Sequence, residues 1–287
     1  MSTCLITGAG GFVGRALASR LSARGDTVIG LGQRDGDIAA PATLRPYQAV
    51  KIDHIFHLAA RTFVPQSWED PGEFHRVNTG GTLNVLEFSR ARRIPLTHVS
   101  SYLYGTSRQQ PIREDHPLAP NNPYALSKAL AEQACEFYAR VHGLPITVVR
   151  PFNIYGPGQS EHFLIPSILQ QVLTADRIEV KDLAPRRDFL YIDDLVDLFL
   201  ASLLAPASYN VYNAGTGTSH SVAEVISIAQ AVAATSKPVQ SLEAPRVQEM
   251  DDTRADVAKA RGELGWFAKH AFRDGIRLTI NSMQGPT

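Results

Sequence analysis

The sequence predicts an α/β fold, a doubly wound parallel sheet followed by a smaller C-terminal lobe. Three observations carry that reading. Short apolar runs alternate with helical patterns through the first half of the 287 residues, the arrangement that builds a parallel sheet with helices on both faces. The first run ends in a glycine-rich turn that opens a helix. Beyond Pro151 the pattern loosens into Pro- and Gly-rich loops between short helices. Residues 1–155 therefore read as one domain of Rossmann type and 156–287 mainly as a second lobe, with segments that return to the first.

Thr3–Thr7 is the first strand and leads directly into Gly8. From Phe12 to Arg24, Phe12, Val13, Leu17 and Leu21 recur at helical spacing. Thr27–Leu31 is the second strand, and Ile52–Leu58 suits a strand buried on both faces. Asn78 to Arg92 reads as a helix and Leu96–Ser100 as a strand. Tyr124 to Val141 is the next helix and Pro145–Val149 the next strand. Leu83, Leu86, Leu130 and Phe137 lie on those two helices, and helical spacing assigns them equally to the core or to a contact with a second copy.

Composition excludes several function classes. The 28 basic residues balance 28 acidic ones, so no global field draws the chain to nucleic acid or to an anionic membrane. The two cysteines, Cys4 and Cys135, fall in apolar surroundings without metal-ligand spacing and read as buried structural thiols. No disulfide framework is indicated, and no basic segment leads into an apolar run near Met1, so a cytoplasmic protein is expected. Leu195 to Ala205, the most apolar later stretch, is too short to span a bilayer and contains Asp197. The nine histidines are scattered. His57 and His98 sit in strand patterns, where core or crevice positions suit them better than metal coordination.

Gly8, Gly11 and Gly14 follow a strand and open a helix, the context in which such a motif binds a dinucleotide. Gly8 permits the tight turn, Gly11 lets backbone approach a pyrophosphate, and Gly14 allows close packing on the sheet. N–H groups at the helix start then meet the phosphates. The alternative is a glycine turn that binds nothing. An NAD site usually ends its second strand with an acid that accepts from the ribose hydroxyls. Here Leu31 is followed by Gly32, Gln33 and Arg34. Arg34 suits a 2′-phosphate, which favours NADP(H) over NAD. The other reading makes Arg34 a solvated loop charge and sends Asp35 or Asp37 to the ribose.

Tyr124 and Lys128 are one helical turn apart and share a face, so an ammonium beside the phenol would favour its ionised form. Ser100 ends the Leu96–Val99 run, at the sheet edge where open α/β folds build their crevice. Ser100 and Tyr124 together suit one substrate oxygen, with Lys128 tuning the phenol and bonding a nicotinamide ribose. Otherwise Tyr124 is an ordinary helix residue and Lys128 a surface charge.

With these residues in place, the chain resembles an extended short-chain dehydrogenase/reductase of the nucleotide-sugar epimerase/dehydratase group. The resemblance runs through Thr7-Gly-Ala-Gly-Gly-Phe-Val-Gly14, His57-Leu-Ala-Ala60, Asn78-Thr-Gly-Gly-Thr82, Ser100-Ser-Tyr-Leu-Tyr-Gly105 and Tyr124-Ala-Leu-Ser-Lys128. It continues through Arg150-Pro-Phe-Asn-Ile-Tyr-Gly156, Arg187-Asp-Phe189 and Leu264-Gly-Trp266, nearly the whole chain. It implies that Phe12, Val13, Leu58, Ala59 and Ala60 line a cofactor cleft, that Asp37 and Ile38 hold an adenine ring, and that Pro151 and Phe152 border the nicotinamide. It implies a nucleotide-diphosphate sugar as substrate, its diphosphate held by Asn153, Arg187 and Arg246, and a homodimer formed through the Asn78–Arg92 and Tyr124–Val141 helices. Forked hydrogen bonds from two arginines suit a pyrophosphate independently.

Within that group, the 4,6-dehydratases carry an acid just after the catalytic Ser/Thr, whereas this chain has Ser101 and Tyr102. A dehydratase is therefore disfavoured, since protonating a leaving hydroxyl needs a placed acid. The pattern is similar to reductases of 4-keto-6-deoxyhexose nucleotides, notably the GDP-linked kind. The alternative is an NAD-dependent 4-epimerase of the UDP-glucose type. A protein that binds dinucleotide only to sense it is the last of these expectations.

Overall fold

The apolar runs of the first half assemble as strands that hydrogen-bond only in parallel. In the computed structural model, which describes residues 1–105, 109–206, 208–243 and 250–285, the chain opens with β1 (Thr3–Thr7), α1 (Phe12–Ala23), β2 (Thr27–Leu31) and β3 (His54–His57). Next come α2 (Val64–Glu69), α3 (Pro71–Phe74), α4 (Gly81–Arg92), β4 (Leu96–Val99), α5 (Pro123–His142) and β5 (Ile146–Pro151). The rest comprises β6 (Asn153–Tyr155), α6 (Leu164–Thr174), β7 (Ile178–Val180), β8 (Arg186–Tyr191), α7 (Ile192–Ser202) and β9 (Tyr209–Ala214). It ends with β10 (Ser219–Ser221), α8 (Val222–Ala233), β11 (Val239–Ser241), β12 (Asp252–Thr253), α9 (Ala258–Leu264) and α10 (Phe272–Gln284).

The main sheet runs β2-β1-β3-β4-β5-β9, every pair parallel. A doubly wound sheet commonly runs 3-2-1-4-5-6. Here no described strand lies outside β2, and the chain from Gly32 to Asp53 replaces it with two short 3₁₀ turns, Gln33–Asp35 and Pro41–Tyr47. The direction of winding reverses between β1 and β3, so a crevice opens at their carboxyl ends. One sheet face packs Val85, Leu86 and Phe88 of α4 and Cys135 of α5. The other packs Leu17 and Leu21 of α1 with Leu195, Leu198 and Phe199 of α7. Each such fully buried side chain contributes about 1.5–3 kcal/mol. Among the described residues, no helix is long and apolar enough to cross a membrane.

Beyond β5 the chain builds a second layer. β8 pairs with β6, β10 and β12, and α6, α8 and α10 share an apolar core that includes Ile165, Leu169, Ile226 and Ile276. Two later segments return to the main sheet: β9 joins its edge, and α7 covers one face.

Local chemistry sets the boundaries. Asn122 caps α5 by accepting from Ala125 N at 2.8 Å, Pro123 opens it, and Gly143 in the left-handed region ends it. The helix expected from Asn78 begins earlier, as a wide turn over His75–Gly80 that continues into α4. Wide turns of this kind re-aim a side chain inside a helix. Asn78 is buried there, accepting from Arg61 N at 2.8 Å and donating to Arg61 O at 3.0 Å and Ser127 Oγ at 2.9 Å. It ties the segment after β3 to α5.

A buried ion pair joins α5 to β5. Arg150 donates to the Glu132 carboxylate, and its Nη1 donates to Tyr104 Oη at 2.7 Å and Glu114 O at 2.9 Å. Tyr104 in turn donates to Asn213 Oδ1 of β9 at 2.6 Å. Removing one partner leaves a buried charge without compensation. Arg150→Met is expected to lower stability by about 3–5 kcal/mol in urea denaturation, and Arg150→Met with Glu132→Leu to recover most of it. Equal stability of the single variant and the native chain would count against the network's role.

Candidate active site

The crevice is a groove of about 2300 Å³ across the carboxyl ends of β1, β3, β4 and β5. At its floor, backbone meets backbone. A Cβ on Gly8, whose φ is +74°, would lie 2.7 Å from Ala59 N, and one on Gly14 would lie 2.2 Å from Gly8 O. α1 starts directly above, at Gly11, with neither a side-chain cap nor an acid in its first turn. Its leading N–H groups therefore suit an anion, and the cradle that a Cβ would fill fits the pyrophosphate of a dinucleotide. Phe12, Val13, Leu58, Ala59 and Ala60 line the same wall.

Asp35 and Asp37, the two acids that the sequence offered to a ribose, line the groove and are both engaged. Asp35 Oδ2 accepts from Gly32 N at 2.7 Å. Asp37 Oδ1 accepts from Ala39 N at 3.0 Å, and its other oxygen takes Arg76, which is also held by Glu73. The Ala39 N–H, followed by Arg76, holds the Asp37 carboxyl below its usual range. Arg34 is exposed, lines the groove, and makes no ion pair or hydrogen bond among the described residues. Ile38 is buried against Gly81.

Ser100, Tyr124 and Lys128 all line this groove. Ser100 N donates to Val149 O at 2.8 Å, and its buried hydroxyl has no hydrogen-bond partner among the described residues. Tyr124, in the first turn of α5, is pushed by burial up to about 12, against a lowering contribution from the Ser101 hydroxyl. Lys128 is 3% exposed, and burial brings its ammonium down to about 8. Its Nζ donates to Val99 O and lies 3.4 Å from His98 Nε2.

The direction of the Lys128 ammonium is set from outside its own helix. The ammonium is turned to the end of β4, and burial raises the Tyr124 phenol while it lowers the ammonium. Desolvation disfavours both charged forms, and the carbonyl of Val99 offers the ammonium the acceptor it needs.

His57 and His98 are core residues. His57 bonds Thr7 Oγ1 at 2.7 Å and Thr82 Oγ1 at 3.0 Å, and burial pushes it down to about 3. Among the described residues, no group of three or more His, Cys, Asp or Glu side chains could hold a metal ion. Cys4 and Cys135 are free and buried.

Also in the lining, Tyr102 stacks on Phe152 with centroids 5.4 Å apart, and Ser101 and Pro151 adjoin them in the chain. Asn153 donates to Asp188 O at 3.3 Å. Arg187 enters from β8, donating to Arg186 O at 2.7 Å and Met250 O at 2.6 Å. Arg246 lies outside the described residues. Sequence reasoning missed part of the lining, including Phe163 and Ile168 of the α6 region, Lys181 and Leu242. No motif marks these positions, because they come from separate places in the chain: the start and body of α6 and the residues just after β7 and β11.

Residues 4–215 match the family described as NAD dependent epimerase/dehydratase. The chain belongs to the NAD dependent epimerase/dehydratase family. It is 32% identical to a UDP-glucose 4-epimerase of Mycolicibacterium smegmatis over 96% of each chain. It is 31% identical to a GDP-6-deoxy-D-mannose reductase of Pseudomonas aeruginosa, over 97% of this chain and 96% of that relative. A solved structure of RMD from Pseudomonas aeruginosa complexed with NADPH superposes with a TM-score of 0.91 at 30% identity, covering 98% of both chains. As an epimerase/dehydratase family member, the protein is an NAD(P)-dependent enzyme with the extended short-chain dehydrogenase/reductase fold.

The glycine cradle gives a direct test. Gly14→Ala is expected to weaken NAD(P)H binding at least tenfold in fluorescence titration and to lower Tm, because the new methyl meets backbone at 2.2 Å. Native affinity in this variant would mean that the loop does not seat the dinucleotide.

Proposed function

We propose that this enzyme reduces a nucleotide-linked 4-keto-6-deoxyhexose with NADPH. The observation that carries the reading is the loop after β2: Arg34 is unpaired among the described residues while Asp35 and Asp37 are both engaged. That arrangement suits a 2′-phosphate better than a ribose diol. When bound, the nicotinamide supplies the hydride. Tyr124, held protonated by burial, then gives its proton to the oxygen on C4, and the free hydroxyl of Ser100 steadies that oxygen. Lys128 would bond the nicotinamide ribose. Ser101 and Tyr102 stand where a dehydratase needs a carboxylate, which speaks against loss of water at C6.

In this reading residues 1–155 seat the dinucleotide and residues 156–287 mainly the nucleotide sugar. Asn153, Arg187 and Arg246 are assigned to its diphosphate, and Pro151 and Phe152 to the nicotinamide border. The GDP-6-deoxy-D-mannose reductase relative supports a reductase. The UDP-glucose 4-epimerase relative makes an epimerase the competing outcome.

We further propose that the chain pairs with a second copy through α4 and α5. Leu83, Leu130 and Phe137 are 40%, 38% and 48% exposed, and Leu126 and Val141 extend the same apolar surface, whereas Leu86 is buried in the core. Leu130→Glu with Phe137→Glu should convert a dimer to a monomer in light scattering; an unchanged mass would refute that interface.

Three measurements address the reaction. Tyr124→Phe should lower kcat about 10²–10⁴-fold in NADPH oxidation with GDP-4-keto-6-deoxymannose. Arg34→Ala should weaken NADPH about tenfold or more and leave NADH within twofold. Denaturing the purified native protein should release little nucleotide or exchangeable NADP(H); stoichiometric NAD would instead identify a 4-epimerase.

A further inference from the structure

The Lys128 ammonium has a buried neighbour that the chemistry above does not use. His98, on β4, is fully buried, its Nε2 is 3.4 Å from Lys128 Nζ, and its Nδ1 has no hydrogen-bond partner among the described residues. Burial, together with Lys128 and His57, holds the imidazole well below its usual range, so it is neutral. A neutral imidazole carries one N–H and one lone pair. An ammonium only donates, so Nε2 must present the lone pair and Nδ1 must carry the hydrogen, with no acceptor. An orphaned buried donor is unfavourable, and an apolar side chain would fill the space without that cost. The contact with Lys128 is what offsets it.

The other groups around Lys128 cannot replace His98. From β3, His57 is neutral and committed to Thr7 and Thr82. From α5 itself, Glu132 is committed to Arg150 of β5, burial keeps the Cys135 thiol protonated, and Tyr124 is likewise held protonated. No unpaired anion faces the ammonium among the described residues. Val99 O and His98 Nε2 are its two direct acceptors there.

We infer that His98 is a positioning residue that acts through Lys128, its Nε2 lone pair holding the ammonium at the end of β4 where Ser100 and Tyr124 border the groove. The inference rests on the assignment of Lys128 to the cofactor site but not on the choice between reductase and epimerase. Losing one of two buried acceptors disfavours the charged amine further, so the pH range over which Lys128 serves the cofactor must shrink from its alkaline side.

The test follows cofactor affinity from pH 6 to 10, with whichever of NADPH and NADH binds the native protein more tightly. In the native chain the dissociation constant should rise as pH passes about 8, where Lys128 loses its proton. In His98→Leu that rise should begin about one pH unit lower, and at pH 8 affinity should fall about threefold to tenfold. His98→Gln, whose amide oxygen accepts a hydrogen bond, should return the profile to the native position. An unmoved profile in a folded His98→Leu protein would reduce His98 to core packing. Lys128→Met with native affinity at pH 7 would instead remove Lys128 from the cofactor site. The native protein supplies a readout that needs no variant. ¹⁵N NMR of labelled histidine should find His98 protonated on Nδ1 and bare on Nε2, and the reverse tautomer would overturn the inference.

Discussion

At the carboxyl end of β1 the backbone of Gly8 lies against Leu58 and Ala59, and Gly14 lies against Gly8 and Ala9. This contact between main chains fixes the rest of the site. It lets α1 begin within a few residues of β1, so the uncapped start of the helix faces the groove. It also brings the end of β3 alongside, from which Asn78 and its bonds to Arg61 and Ser127 carry the geometry on to α5. Ser100, Tyr124 and Lys128 are thus placed relative to the glycine turn through a continuous chain of backbone and amide contacts.

Around that frame, burial governs the electrostatics. It raises the phenol of Tyr124, lowers the ammonium of Lys128 and keeps His57 and His98 neutral. Buried charges among the described residues include Arg150, Glu132 and Asp188. Arg150 and Glu132 neutralise each other, while Asp188 is surrounded by the N–H groups of Thr216, Gly217 and Ala255.

What the sequence discloses is local. The β1 turn, the strands of the main sheet and the cap of α5 rest on neighbours within a few residues, so spacing alone reveals them. What it hides depends on distant partners. Lys128 and Tyr124 read as a pair because they are four apart, yet the ammonium follows Val99 and His98, some thirty residues away in the chain. Arg150 and Glu132 have no common motif, and only the packing of α5 on β5 brings them together. Leu83 and Leu86 are indistinguishable by period, and the fold separates them into surface and core. The short strands around β8 pair across long stretches of chain, which no periodicity of three to six residues announces.

The main sheet ends at β2, and the chain from Gly32 to Asp53 crosses from β2 to β3 without adding a strand. Arg34, Asp35 and Asp37 all sit on that crossing. They contribute no ladder hydrogen bonds, so their side chains can change with no register to preserve. On the proposed assignment, preference between a phosphorylated and a plain ribose is therefore mechanically separate from Ser100, Tyr124 and Lys128, which are anchored at the end of β4 and on α5. On that assignment, discrimination among dinucleotides can be rewritten in this loop by substitution, insertion or deletion, while Ser100, Tyr124 and Lys128 stay as they are.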